Sequence, residues 1–110
     1  MYELAIRAAA VAHQALDLPG VTQVLHTESA GGMTVLTHFA PGAMIPEHWH
    51  TQAHETVYVL SDDFVEAGVP YGPGTFFAGS AGTCQGPHTT VNGCTVLIRF
   101  AGPLDFQIVT

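Results

Sequence analysis

The sequence contains no lysine and only two arginines, Arg7 and Arg99, against nine acidic residues, and its formal net charge at pH 7 is −7. Nucleic acid and anionic membrane surfaces are therefore poor partners, since both are bound through basic side chains. No apolar run approaches the length of a membrane span, and the N-terminus lacks the basic and apolar regions of a secretion signal. We therefore expect a soluble, cytoplasmic protein.

Cysteine is also scarce, because Cys84 and Cys94 are the only two, and their spacing fits neither a zinc-type pair nor a dense disulfide framework. We expect both thiols to be reduced and buried. Charged residues make up only 10% of the 110 residues and hydrophobic residues 47%. So few charges leave apolar surface uncovered, which indicates an oligomer, and we expect a homodimer.

The order of predicted elements indicates an all-β domain behind a short helix. Good helix formers at helical spacing predict one amphipathic helix over residues 2–17. After a glycine turn at residues 30–32, short strands alternate with Gly, Pro, Asp and Asn, which is typical of an all-β sandwich or barrel. We expect a single domain, residues 1–110, with the helix inside residues 1–20 and the barrel over residues 33–109.

One turn and one histidine in the barrel region also allow predictions. The dipeptide Asn92-Gly93 favours a type I′ hairpin, so residues 85–91 should pair with residues 94–100. His38 stands on the strand that precedes a Pro-Gly turn. A single strand histidine is usually hydrogen-bonded to its neighbours, and we expect a structural role for it rather than ligation.

A pair of histidines, His48 and His50, is the strongest functional signal in the chain. In an extended strand, residues i and i+2 point to the same face, so the two imidazoles project side by side while Trp49 faces away. Glu55 follows His50 after four intervening residues, which are enough for a short turn. Two imidazoles and one carboxylate are the ligands of non-haem Fe(II) sites, and Zn, Ni and Mn accept them too. We therefore predict one divalent metal ion per chain, with Fe(II) favoured.

At this point the sequence resembles the cupin superfamily, in particular its small RmlC-like members. The second cupin motif is similar to residues 74–85, where Ser80 replaces the usual proline and Gln85 stands at the position of a metal histidine. Residues 99–106 resemble the tail of acetylacetone-cleaving dioxygenases, which use Fe(II) on three histidines. The resemblance covers about residues 34–109. The residues that match the first cupin motif are Gly42, His48, His50 and Glu55.

This resemblance implies a fold and an activity. The fold would be a double-stranded β-helix, the cupin barrel, and the activity that of a metal-dependent oxidoreductase of the Fe(II) dioxygenase type. Its substrate would be a small enolisable ketone or β-dicarbonyl compound. Two other classes fit the same residues: a non-catalytic ligand-binding or sensor cupin, and a metal-dependent isomerase or lyase that needs no oxygen.

The residue that completes the metal site has two candidates. Gln85 occupies the position of the family's histidine, whereas His88 offers the better donor for Fe, Ni and Zn. Both can face inward only if the Gly-Pro pair between them rotates the chain. Glu55 and Arg99 are the candidate catalytic residues. Arg99 could bind an enolate or carboxylate, or pair with Glu66 or with Asp105.

Overall fold

The chain folds almost entirely into β-strands in the computed structural model, which describes residues 1–29 and 31–109. Ala30, in the predicted glycine turn, and Thr110 lie outside the described residues. The all-β class is confirmed. The strands, in chain order, are β1 (Gln14–Ala15), β2 (Val21–Ser29), β3 (Gly32–Phe39), β4 (Met44–Ile45), β5 (His48–Trp49), β6 (His54–Asp62), β7 (Phe64–Glu66), β8 (Val69–Tyr71), β9 (Phe76–Gly79), β10 (His88–Thr89), β11 (Cys94–Ala101) and β12 (Gln107–Ile108).

The strands form three antiparallel sheets around one interior. The largest has the order β1-β2-β3-β11-β6-β9, the second has the order β4-β10-β7-β8, and β5 pairs with β12. The long strands β3, β11 and β6 lie next to one another at the centre of the large sheet. Because their residues alternate between faces, one face of this sheet is apolar and turns towards the smaller sheets.

Alternation along β6 decides which of its side chains enter the core. Val57 and Val59 are buried, whereas Tyr58 on the other face is 44% exposed. Phe64, from the second sheet, packs edge-on against Phe39 of β3 with ring centroids 6.0 Å apart, and this contact joins the two sheets. Burial of one such side chain stabilises the fold by about 1.5–3 kcal/mol.

The N-terminal segment departs from the prediction. The α-helix expected over residues 2–17 is wrong in extent, because only a 3-10 turn at Ala8–Ala10 forms, and Gln14–Ala15 pair with β2 as an edge strand. A helix of this length is marginal in water without a surface to pack on. Here Leu16 packs against the core while Leu4 is exposed. Among the described residues, no helix is long and apolar enough to cross a membrane.

Two expectations about the barrel strands are corrected. The large sheet begins before residue 33, because β2 pairs with β3 along its length. The predicted hairpin between residues 85–91 and 94–100 is wrong, since β10 pairs with β4 and β7 while β11 pairs with β3 and β6. The two segments therefore belong to different sheets, and the chain crosses from one to the other at Asn92 and Gly93.

The carboxylate of Asp63 holds this crossing. It accepts hydrogen bonds from the Val91 amide at 3.1 Å, the Asn92 amide at 3.3 Å and the Thr90 hydroxyl at 3.2 Å. The hydrogen bond from Val91 has the largest effect on the pKa of Asp63. Together these bonds lower that pKa from its ordinary value. The ionised side chain therefore stabilises the folded state.

We expect Asp63→Asn to lower the Tm by several degrees at neutral pH. Because the folded pKa is lowered, the contribution is complete above the unfolded pKa of about 4 and is lost as the pH falls through the folded pKa. Thermal unfolding followed by circular dichroism from pH 7 to pH 3 measures it, with the exposed neighbour Asp62→Asn as the control. A similar loss of Tm in both variants, or a loss in Asp63→Asn that does not shrink between pH 7 and pH 3, contradicts the prediction.

The cysteines and His38 occupy different environments. Cys94 is buried, and burial raises the pKa of its thiol to about 11. Cys84 is also free but exposed, so the expectation of burial is wrong for it. His38 lies with Nδ1 3.0 Å from the Thr95 hydroxyl and stacks on the ring of His13, which fits the predicted structural role.

Candidate metal centre

His48 and His50 lie side by side, as their spacing predicted. Their ring centroids are 5.0 Å apart, and the two residues are only 2% and 1% exposed. Hydrogen bonds on both edges hold this short segment. The backbone of His48 exchanges two hydrogen bonds with that of Gln85, at 2.9 and 2.8 Å, and β12 pairs on the other edge. Both imidazoles are therefore fixed by main-chain pairing rather than by a mobile loop.

Glu55 joins the two histidines in one buried cluster. It is the second residue of β6 and shares the inner face of that strand with Val57. One ligand atom from each of Glu55, His48 and His50 lies within 4.8 Å of the other two. Two imidazoles and one carboxylate in this arrangement suit a divalent transition-metal ion. The cluster predicted from the sequence is therefore present.

Backbone carbonyl groups orient both imidazoles. Nδ1 of His48 lies 2.7 Å from the carbonyl oxygen of Pro46, and Nδ1 of His50 lies 2.6 Å from that of Asp105. A carbonyl oxygen only accepts hydrogen bonds, so Nδ1 of each ring must carry a hydrogen and donate it. In the neutral ring, the lone pair on Nε2 is then free to bind a metal ion. The residues present therefore fit a bound metal.

The two histidines differ in their charge environment. Nε2 of His50 lies 3.3 Å from Oε1 of Glu55. Burial lowers the pKa of His50, but its hydrogen bonds to Glu55 and to the Asp105 carbonyl outweigh burial, and the pKa is raised. For His48 burial dominates, and the neighbouring His88 and His50 act in the same direction, so the pKa is lowered. A proton therefore favours His50, next to the carboxylate, and His48 stays neutral.

The C-terminal tail completes the wall beside the histidines. The Asp105 carboxylate accepts hydrogen bonds from the amide and the hydroxyl of Thr51, at 2.8 and 2.9 Å. These bonds hold the peptide whose carbonyl orients His50. The ring of Phe106 follows and lies 5.3 Å from that of His48 and 4.8 Å from that of His50, between centroids. The tail thus both positions one histidine and shields the pair.

Gln85 and His88 both face the interior. Gln85 lies directly opposite His48 in an antiparallel bridge, and residues in that relation place their side chains on the same face. Its Oε1 is buried and has no hydrogen-bond partner among the described residues. His88 also lines the interior, because Gly86, with a φ of +85°, turns the chain between them.

Gly79 makes room for the amide of Gln85. Gly79 pairs with Glu55, so a side chain at this position would point to the same inner face. A Cβ atom on Gly79 would lie 2.7 Å from Nε2 of Gln85. The missing side chain therefore permits the observed position of the Gln85 amide.

His88 is held by an acidic partner. Its Nδ1 lies 2.6 Å from Oε2 of Glu66, and the other carboxylate oxygen accepts a hydrogen bond from the Gly86 amide at 2.8 Å. Burial raises the pKa of Glu66, but the contacts with His88 and with the amide outweigh burial and lower it. The ring of His88 lies 5.3 Å from that of His48, between centroids. Because Nδ1 of His88 contacts Glu66, Nε2 is the nitrogen that can bind a group in the interior.

Arg99 lies outside the site. It alternates along β11 with Phe100, which lines the interior, so Arg99 is exposed on the outer face and donates to the Thr34 hydroxyl at 3.3 Å. Within the described residues, it forms no salt bridge with Glu66 or Asp105. The position supports neither the suggested catalytic role nor the suggested ion pairs.

Two chambers meet at the cluster, each with a volume of about 170 Å³. The first, here called the small-sheet chamber, includes Gln85, Cys84 and Glu66 in its wall. The second, here called the apolar chamber, is lined mainly by aliphatic and aromatic side chains. Four residues line both chambers and form the boundary between them. They are Glu55, Val57, Phe64 and His88.

Parts of this site carry no signal in the sequence. Any residue type could supply the carbonyl groups that orient the histidines, so Pro46 and Asp105 could not be identified as their partners. The sequence suggests Glu66 only as a partner of Arg99. It meets His88 because β7 and β10 pair in a register that places the two residues opposite each other.

Comparison with known proteins identifies the family. The model of the ChrR cupin-like domain matches residues 2–105. This chain belongs to that family. The match covers most of the cupin domain and confirms the superfamily inferred from the two motifs, together with the double-stranded β-helix that it implied. Among curated protein sequences, none matches this chain.

Solved cupin structures share the fold. The polyketide cyclase RemF from Streptomyces resistomycificus matches with a TM-score of 0.88 at 14% identity, over 99% of this chain and 87% of that chain. A chain of the SigE complex with the anti-sigma ChrR from Rhodobacter sphaeroides matches with a TM-score of 0.71 at 21% identity, over 84% of this chain and 51% of that chain. An acetylacetone dioxygenase from Acinetobacter johnsonii matches with a TM-score of 0.76 at 15% identity, over 100% of this chain and 83% of that chain. At these identities the likeness shows the fold alone.

Proposed function

We propose that this cupin is a metal-dependent enzyme that acts on a small enolisable ketone or β-dicarbonyl compound, with Fe(II) as its metal and O₂ as co-substrate. The observation that carries the proposal is the buried cluster of His48, His50 and Glu55, whose ligand atoms lie within 4.8 Å of one another. Buried carboxylate and imidazole groups are costly unless paired or bound to a metal. The carbonyl groups that orient both rings add to this support, since metal-binding histidines commonly have such partners.

We assign Gln85 rather than His88 as the further ligand. The Oε1 atom of Gln85 is buried without a partner, and an unsatisfied buried acceptor costs about 1–3 kcal/mol unless something binds it. His88, in contrast, is not part of the group of His48, His50 and Glu55, whose ligand atoms lie within 4.8 Å of one another. An amide oxygen is neutral, so the ligand set carries the single negative charge of Glu55.

The protein would prepare the substrate for this chemistry through its own side chains. A bound divalent ion supplies Lewis acidity that stabilises an enolate, and Fe(II) adds the capacity to react with O₂. Val57 and Phe64, at the junction of the chambers, exclude water from the substrate. Glu66 holds the ring of His88 in the same wall, which fixes the direction of its free nitrogen. Glu55 lies at the junction, from which its carboxylate would bind the metal and face the substrate.

Metal content and oxygen consumption test this proposal together. The untagged protein is incubated with Fe(II) under argon, freed of unbound metal, and assayed by elemental mass spectrometry. Oxygen uptake is then followed with acetylacetone and with 1-phenylbutane-1,3-dione as substrates. We expect stoichiometric Fe(II) in the wild type and in His88→Ala, with less in Gln85→Ala, and substrate-dependent uptake of O₂. Absence of metal above background in the wild type overturns the proposal.

A second function is favoured by the family itself. The family model bears the description of a ChrR cupin-like domain, and one similar fold belongs to a complex of an anti-sigma protein. A sensor or ligand-binding cupin would hold the metal and a small molecule but consume no O₂ with any diketone. An isomerase or lyase would convert its substrate under argon. The oxygen-uptake assay, together with a measurement of substrate conversion under argon, separates the three functions.

We also propose that the protein is a homodimer. Tyr58 and Phe76 lie opposite each other on the outer face of the large sheet, and both are exposed, as is Leu60 beside them. The sheet ends in this direction at β9. Apolar side chains on an exposed face next to a free edge are typical of an interface.

A further inference from the structure

The apolar chamber restricts what the proposed centre can bind. Its volume of about 170 Å³ is close to that of a cavity of about 150 Å³ known to hold benzene. Its walls come from the inner faces of β3 and β11 and from the C-terminal tail. The apolar residues in the wall include Met33, Val35, Phe39, Ile98, Leu104 and Phe106. A molecule that fills this chamber must therefore be mainly hydrocarbon, about one ring in size.

Within the described residues, no arginine lines the chamber. The chain has no lysine, and Arg7 and Arg99 are both exposed and outside the wall. Glu55 lines the chamber instead, and it adds negative charge. A carboxylate or phosphate group placed in the apolar part would lose its hydration without gaining a partner, which is costly. The substrate must therefore be uncharged away from the metal cluster.

Two polar side chains interrupt the apolar wall far from the cluster. Gln23 of β2 and Thr37 of β3 are directly opposite each other in the antiparallel pair, so their side chains share one face. Both line the chamber, and Thr37 is buried. Together they offer hydrogen-bond donors and acceptors without charge.

The distance between this pair and the cluster sets the length of the occupant. Strand β11 pairs Phe100 with Glu55 and Val96 with Thr37, and these two β11 residues are four positions apart. At about 3.3 Å per residue, the two ends are about 13 Å apart along the strand. Side chains reach inward from both ends, so a ring with a short side chain spans the gap that is left.

We propose that Gln23 and Thr37 bind a second, neutral oxygen group of the substrate, such as a phenolic or alcoholic hydroxyl. The proposal rests on the function proposed above and deepens it. The substrate class is a ring-bearing, uncharged β-dicarbonyl or related ketone, whose enolisable end faces His48, His50 and Glu55. Its hydroxyl at the far end meets the polar pair. Gln23 and Thr37 are then specificity-determining residues, because the apolar side chains in the rest of the wall do not discriminate between one hydrocarbon group and another.

Binding of three related probes tests this proposal. The probes are 1-phenylbutane-1,3-dione and its 4-hydroxyphenyl and 4-carboxyphenyl analogues, titrated calorimetrically into protein loaded with Zn(II), so that no oxidation occurs. We expect the hydroxyl analogue to bind about tenfold more tightly than the parent, and the carboxylate about tenfold more weakly. In Gln23→Leu and Thr37→Val, the ratio of the affinity for the hydroxyl analogue to the affinity for the parent should fall to about one. Thr34→Val, on the outer face of the same strand, is the control.

The outcomes separate the two proposals. If the parent diketone binds equally well with and without Zn(II), or if no probe binds, the proposed function fails and this inference fails with it. If binding of the parent depends on Zn(II) but wild type shows no hydroxyl preference, only the present inference is overturned. A preference that survives in both chamber variants overturns it as well. Circular dichroism of each variant checks that the fold is kept.

Discussion

We expect His50→Ala to lower the affinity for Fe(II) by at least about a hundredfold, since loss of a group that only orients a ligand already costs about 10–100-fold. His50 contributes its Nε2 atom to the cluster and is positioned by the Asp105 carbonyl. Alanine removes one of two imidazoles, and the neutral amide at Gln85 cannot replace it. Calorimetric titration with Fe(II) under argon measures the change.

His54→Ala is the matched control for this experiment. His54 stands four residues later and is exposed, and its side chain accepts one hydrogen bond among the described residues, from the Ala81 amide to Nδ1. We expect its affinity for Fe(II) to equal that of wild type. Thermal unfolding of the metal-free proteins tests whether His50→Ala has lost its fold, in which case His50→Gln takes its place. Wild-type affinity in a folded His50 variant would mean that the cluster is not the metal site.

Gly79→Ala should weaken metal binding about tenfold with little change in stability. The new Cβ atom would lie 2.7 Å from Nε2 of Gln85, so the amide must move. Because the displaced group is the end of a flexible side chain, the fold adapts at low cost, but the Oε1 atom leaves the position from which we propose that it binds the metal. The affinity change is of the size expected for a disturbed ligand.

A double-mutant cycle gives this prediction its test. Gln85→Ala alone should lower affinity by a similar factor, and Gly79→Ala combined with Gln85→Ala should lower it no further, because both act through the same amide. Gly72→Ala is the control, since its Cβ would meet no atom within 4 Å. Additive effects of the two changes would show that Gly79 acts through something other than Gln85, and unchanged affinity in Gln85→Ala would remove this residue from the ligand set.

Much of the metal cluster could be predicted from the sequence because the information is local. The i and i+2 spacing of His48 and His50 places both side chains on one face of any extended strand. Glu55 follows five positions after His50, across a short turn. The N-terminal helix was predicted by the same kind of local pattern and proved wrong in extent. Helical periodicity indicates a face but does not provide a surface to pack on, and the free edge of β2 offered backbone pairing instead.

The amino-acid sequence by itself determined the all-β class, the cupin motifs and the three residues of the buried cluster, since strand alternation and short spacings act over a few residues. Only the tertiary structure decided which groups surround that cluster. The pairing of His88 with Glu66, the place of Gln85 opposite His48, and the outward direction of Arg99 depend on the register between strands distant in sequence. Register is set by the packing of whole sheets, and a shift of one residue would turn each of these side chains to the opposite face.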